Sequence, residues 1–215
     1  MALLLLAQWA KPPGRDPVMG LWRPIPPRPP QPAADALLPK LALILSSGPR
    51  RARTVAAKAA AELDIKDAGP YLVTLATDGS QTDLTRATAL AALGRLGDPG
   101  RIDAASRSLV LPGPRSRVEA LRLLAKVNPE AAIAPLQDRL EHGSAAECQG
   151  AIAILAAMPG DGARRLLSSW IDRLIAGKVV PEIQLTYSRR RPNATNPNSA
   201  ARSRTTKDPG PRTIR

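Results

Sequence analysis

Phenylalanine is missing altogether, and three tryptophans and two tyrosines are the only aromatic residues among 215. Strands of a β-sandwich draw their core from β-branched and aromatic residues, so this supply argues against one. A single cysteine, Cys148, excludes an internal disulfide and a cysteine-rich metal cluster, and one thiol does not reveal a compartment. A single histidine, His142, leaves no second imidazole for a metal site. G-x-S-x-G is absent, so a Ser-His-Asp arrangement would rest on His142 alone. No C-x-x-C-H occurs, which excludes haem attachment of that type. The leading apolar run, Ala2 to Leu6, is far too short to span a bilayer. It also lacks the basic n-region of a cleaved signal, the alternative reading, so a short helix packed on the body is expected.

What remains is alanine and leucine. Apolar residues make up 44% of the chain, and these two are the strongest apolar helix formers. The fold class expected is all-α. The formal charge of +13 is uneven: eight basic residues from Arg189 onward face one acid, Asp208, so that end carries +7. Low apolar content with high charge predicts a disordered basic tail over 186–215. It has Tyr187 alone at its edge for base stacking, so the nucleic-acid contact expected of it is non-specific charge neutralisation.

Nine prolines fall between positions 12 and 32, ending in PIPPRPPQP. Proline fixes φ and removes amide donors, so an extended strap is expected, with Trp9 and Trp22 pinning it to the body. Its PxxP spacings (Pro24 to Pro27, Pro27 to Pro30) also fit a ligand for aromatic-lined grooves, but the rigid strap is preferred. From Ala33 the apolar period becomes helical, and helices are expected at about 33–47, 52–63, 69–77, 82–96, 99–110, 115–127, 129–141, 144–158 and 161–176. Gly, Pro, Asp and Asn clusters separate them.

The decisive feature is an offset of 31 residues. Leu93, Leu124 and Leu155 obey it, as do Ala89, Ala120 and Ala151, and Leu90, Leu121 and Ile152. So do Leu96, Val127 and Met158, with Ala105, Leu136 and Leu167, and Leu109, Leu140 and Ile171, on the intervening helices. Ala59, Ala60 and Leu63 fit an earlier copy after one deletion. A helix pair of this size cannot bury both faces alone, so stacking is the expected solution. The organisation expected is a short α-solenoid of antiparallel helix pairs over 33–185, preceded by a short helix and strap over 1–32.

Leu84–Asp98 (LTRATALAALGRLGD) and Ser116–Pro129 (SRVEALRLLAKVNP) resemble HEAT repeats of the short kind. In that pattern a basic residue opens the second helix, Ala-Leu and Leu share one face, and Gly-Asp closes it. Arg86 and Arg117 stand in the basic column, and Cys148 departs from it. Beyond this, LAQWAKPPGRDPVMGLWRPIPPR, LDIKDAGPYL and LIAGKVVPEIQL resemble the repeat region of bacterial membrane-bound dehydrogenase-type proteins. Those combine a β-propeller similar to sugar dehydrogenases, a HEAT array and a c-type haem domain. The resemblance runs from about Leu3 to Leu185 and implies an ARM-like superhelix, with a periplasmic or membrane-associated setting where it holds and a cytoplasmic one otherwise. The abrupt change to YSRRRPNATNPNSAARSRTTKDPGPRTIR after it is what a truncated or frame-shifted reading would produce, so a fragment carrying the scaffold alone is expected.

Candidate chemistry is sparse. Gly94, Gly97 and Gly100 are spaced by turns and form no phosphate cradle. Asp64, Asp67, Asp98 and Asp161 fall between helices, where caps are the expected role. His142 reads as a solvent-facing turn residue and Cys148 as a small, partly buried one. Arg86 and Arg117 form the one ladder of interest. They are expected to bond carboxylates or carbonyls of neighbouring turns, the other reading being a basic ladder facing a ligand. The function expected is a non-enzymatic scaffold for protein–protein or interdomain contact, with no cofactor and no small-molecule substrate. Two alternatives stand: an accessory module of a propeller/haem dehydrogenase, and polyanion binding through the tail.

Overall fold

Ten α-helices account for nearly all the regular structure in the computed structural model, which describes residues 2–16 and 18–177. The expected basic tail and the KVVPEIQL exit lie outside the described residues. The chain divides into units Met1–Lys178 and Val179–Arg215, and the description concerns the first by itself. Among the described residues there is no strand, only an isolated bridge between Arg15 and Trp22. No described helix is long and apolar enough to cross a membrane.

The helices are α1 (Ala2–Ala7), α2 (Gln31–Ser47), α3 (Arg50–Glu62), α4 (Gly69–Thr77), α5 (Asp83–Leu96), α6 (Arg101–Ser108), α7 (Pro114–Val127), α8 (Pro129–His142), α9 (Ala145–Leu155) and α10 (Asp161–Ile175). Local chemistry sets many of the ends. Thr82 caps α5 by accepting from the Thr85 amide, and Asn128 caps α8 through the Ala131 amide. Ser144 and Glu147 close a capping box on α9. Gly97 ends α5 in the left-handed region, at φ 67°, with its N–H on the Leu93 carbonyl.

The helices form two layers. Helices α3, α5, α7 and α9 pack in sequence in one, with α1 against α3; in the other, α2 packs on α4, α4 on α6, and α8 on α10. Each pair α2–α3, α4–α5, α6–α7 and α8–α9 packs across the layers, so every unit covers the face its neighbour leaves open. The chain is therefore an all-α helical repeat.

The 31-residue columns are the core. Ala89, Ala120 and Ala151 are fully buried, and Leu90, Leu121 and Ile152 nearly so. Alanine there lets helix backbones approach, since its side chain adds only a methyl group. The columns loosen in places: Leu124 is only partly buried, and Val127 at the end of α7 is half exposed.

At the N-terminus, Ala7 joins the same core as α3 and α5, with Leu3, Leu6 and Trp9 packed against it. Helix α1 thus packs directly on the array. The strap leaves at Trp9 and returns at Arg28. The Trp9 indole donates to the Pro29 carbonyl (3.0 Å), the Arg28 amide donates to the Ala10 carbonyl (3.0 Å), and the Arg28 guanidinium stacks 4.0 Å from the Trp9 ring centre. Trp9 pins the strap, as expected. Trp22 does not: it is 69% exposed and lies over Gly14 inside the strap.

Candidate functional site

Where a helix pair turns, the last carbonyls of one helix need donors. In three successive units the fourth residue of the second helix supplies them. Arg86 donates to the carbonyls of Gln81 (3.0 Å), Gly79 (3.4 Å) and, from the next unit, Pro112. Arg117 donates to the Leu111 carbonyl (3.2 Å), and Cys148 places its Sγ 3.2 Å from the Arg139 carbonyl. Arg86 is 2% exposed, so its guanidinium points into the turn and not toward solvent. Its Nε is the one buried side-chain nitrogen without a partner among the described residues. The cysteine that departs from the column's basic pattern thus faces the same kind of carbonyls, as a smaller and weaker donor.

A second column, beginning at Thr54, joins consecutive units. Thr54 and Thr85, 31 residues apart, share a hydroxyl–hydroxyl bond of 2.9 Å. Ser116 follows at the same offset. Its hydroxyl and amide both donate to Asp83 Oδ1 (2.7 and 2.8 Å), while the Arg115 amide donates to Oδ2 (3.0 Å). Gly113 gives α7 no side-chain cap, so Asp83 of α5 caps it from the neighbouring unit. Glu147 completes the column. It is 3% exposed, accepts from Arg117 Nε (2.6 Å) and from the Ser144 amide and hydroxyl (2.9 and 2.8 Å), and lies 3.6 Å from Arg139. Burial alone would raise the Glu147 carboxyl; the Ser144 and Arg117 donors outweigh it and hold the group below its ordinary value. Asp83 is lowered in the same way, burial being outweighed by Ser116 and Arg115.

This second column escaped the sequence reading. The signal was present, since Thr54, Thr85, Ser116 and Glu147 obey the same offset as the leucines. Three different residue types hide a polar column, however, where a repeated Leu or Ala reveals an apolar one.

The other candidates take ordinary places. His142 is exposed at the end of α8, with Nδ1 3.1 Å from Asp138 one turn back. Cys148 is buried, and burial followed by the Glu147 charge pushes its thiol up, away from the thiolate that reacts. Asp98 accepts from the Gly100 amide (2.8 Å) as a turn residue, and Asp161 pairs with Arg164 (2.7 Å) on the surface. Asp64, just past α3, holds a left-handed φ of 55°. Trp170 is buried in α10, with Arg173 stacked 4.4 Å from its ring. Among the described residues no group of three or more His, Cys, Asp or Glu could hold a metal ion.

The face of the α3–α5–α7–α9 layer away from the core holds two grooves of about 350 Å³ each. One lies between α3 and α5, where Arg95 bridges to Glu62 at 2.7 Å across an alanine floor. The other lies between α7 and α9, lined by Ala153, Ile154, Ala157, Met158 and Pro159 with Arg122 and Lys126 at its rim. Arg122 is paired with Glu119 on its own helix, and no ion pair engages Lys126 among the described residues. Comparison of the sequence with protein-family models and with curated proteins finds no match.

Proposed function

We propose that this chain is a non-catalytic scaffold of HEAT type that receives a protein segment on the outward face of the α3–α5–α7–α9 layer. The α7–α9 groove carries this reading: it is apolar, open, and edged by the cationic Lys126. The charges between units support it from the other side, because the buried Arg86 and Glu147 and the partly buried Arg117 and Asp83 are all engaged in joining units. Their chemistry serves the stack, which leaves surface shape as what the molecule offers. A segment with one or two aliphatic anchors and an acidic residue fits such a groove.

The resemblance to the repeat region of dehydrogenase-type proteins gives the scaffold a setting, as an array that docks a propeller or a haem domain. It rests on LAQWAKPPGRDPVMGLWRPIPPR and LDIKDAGPYL within the described residues. Partner capture with the full chain tests the scaffold reading. Ala153→Glu with Ala157→Glu should release a bound protein that Ser106→Glu, on the other layer, still retains. Equal capture by both variants would move the binding face elsewhere, and dehydrogenase turnover by the isolated chain would overturn the non-catalytic reading.

A further inference from the structure

Between Gly14 and Arg23 the strap forms a small closed turn whose tip is apolar and outward. Asp16 and Leu21 pair through the Asp16 amide and the Leu21 carbonyl (2.9 Å), next to the antiparallel bridge of Arg15 with Trp22. The Gly20 amide donates to the Asp16 carbonyl (2.9 Å), and the Arg15 guanidinium donates to the Gly20 carbonyl (3.0 Å). Asp16 Oδ1 accepts from the Val18 and Met19 amides (2.7 and 3.1 Å). The consecutive amides of Val18, Met19 and Gly20 are therefore all satisfied inside the turn, and Pro17 has no amide hydrogen to satisfy. Yet the apolar side chains of the turn are exposed: Val18 is 88% exposed, Met19 70%, Leu21 45% and Trp22 69%.

Isolated exposed apolar residues are common, but four within five positions on a hydrogen-bonded turn form a patch. A protein pocket can supply donors and acceptors to a docking loop; hydrocarbon cannot, and backbone entering it must be paired already. Three of the five amides of this tip, those of Val18, Met19 and Gly20, meet that demand. Charge points the same way. Lys11, Arg15 and Arg23 flank the turn in sequence, while its one acid, Asp16, spends its carboxylate on the backbone. A tryptophan at the margin of an apolar tip, backed by cations, suits the interface of an anionic bilayer.

We propose that the tip Val18–Trp22 seats this protein peripherally on an anionic lipid surface, with Trp22 at headgroup depth and Lys11, Arg15 and Arg23 against the phosphates. The contact holds the protein to the bilayer face without crossing it. Gly14 sets the pose: a Cβ there would lie 2.5 Å from the Trp22 ring, so the ring rests on bare backbone.

The test uses the full chain with vesicles of phosphatidylcholine mixed with phosphatidylglycerol, against vesicles of phosphatidylcholine alone. Brominated acyl chains should quench a fluorescence component that Trp22→Phe removes, since Trp9 and Trp170 are more enclosed. Met19→Ser with Trp22→Ser should lower partitioning roughly tenfold or more, because each side chain loses its apolar transfer. Both residues are exposed, so the fold, checked by circular dichroism, is not at risk. Binding that persists in the double variant, or binding without quenching, would overturn the proposal and assign the attraction to basic residues elsewhere. Absence of binding to either vesicle would overturn it too, and leave the tip to a protein pocket.

Discussion

Glu147 shows how one side chain can hold two units together and pin a helix end at once. It is buried, charged, and bonded to Arg117 of the preceding unit and to its own N-cap, Ser144. Its carboxyl titrates below the ordinary 4.5, despite a desolvation that pushes the other way. The sign follows from linkage: a depressed carboxyl stabilises the fold above its unfolded pKa, and that contribution drains as pH falls through the folded value. Glu147→Gln should therefore lower the urea midpoint at pH 7, and the gap to the wild type should close below about pH 4.5 as the native carboxyl protonates. A gap independent of pH would mean that shape, and not charge, is what Glu147 supplies. Arg86 is the more extreme case, a cation kept from solvent by three carbonyls, with the Asp83 carboxylate also acting on it. Its position in a column and its bonding to turn carbonyls were both legible in the sequence. Which carbonyls they are was not, because Pro112 comes to it from 26 residues along the chain.

At the level of helices, the start of α7 is the joint to probe. Gly113 sits at φ 127°, a region that side chains rarely adopt, and a Cβ there would meet Asp83 Oδ1 at 2.2 Å and Arg86 Nη2 at 2.8 Å. Gly113→Ala should destabilise by about 3 kcal/mol, combining backbone strain with displacement of the carboxylate that caps α7. Asp83→Ala should cost about 1–2 kcal/mol as a lost cap, and the double variant less than the sum. Additive losses, read from urea titrations, would show that the glycine and the aspartate act separately. Helix existence was the part most open to sequence reasoning, since the apolar period of 3.6 and the breaker clusters both mark it. All nine helices expected from Ala33 onward occur within a few residues of their expected bounds. The 3₁₀ turn at Lys66–Ala68 was hidden inside a loop without periodicity. The strap was half legible: proline excluded helix, but nothing local told Trp9, which closes its base, from Trp22, which stays outside.

At the level of the whole molecule, stability in a stack is a sum of units and of nearest-neighbour joints, so position along the array decides how firmly a helix is held. Helices α5 and α7 have partners on both sides within their layer and across it, and polar bonds join the two through Asp83. Among the described helices α10 packs mainly on α8 and α9, buries Ala163 and Trp170, and leaves Ile175 exposed. Amide exchange should accordingly be slowest in α5 and α7 and faster by at least tenfold in α10, with α9 between them. Glu147→Gln adds the mechanistic half of the prediction. It weakens the joint between α7 and α9, so exchange should accelerate in α9 and α10 while α5 keeps its protection. Were α5 to accelerate equally, the molecule would open as one cooperative body. The 31-residue repeat would then describe how the core is written and not how the molecule comes apart.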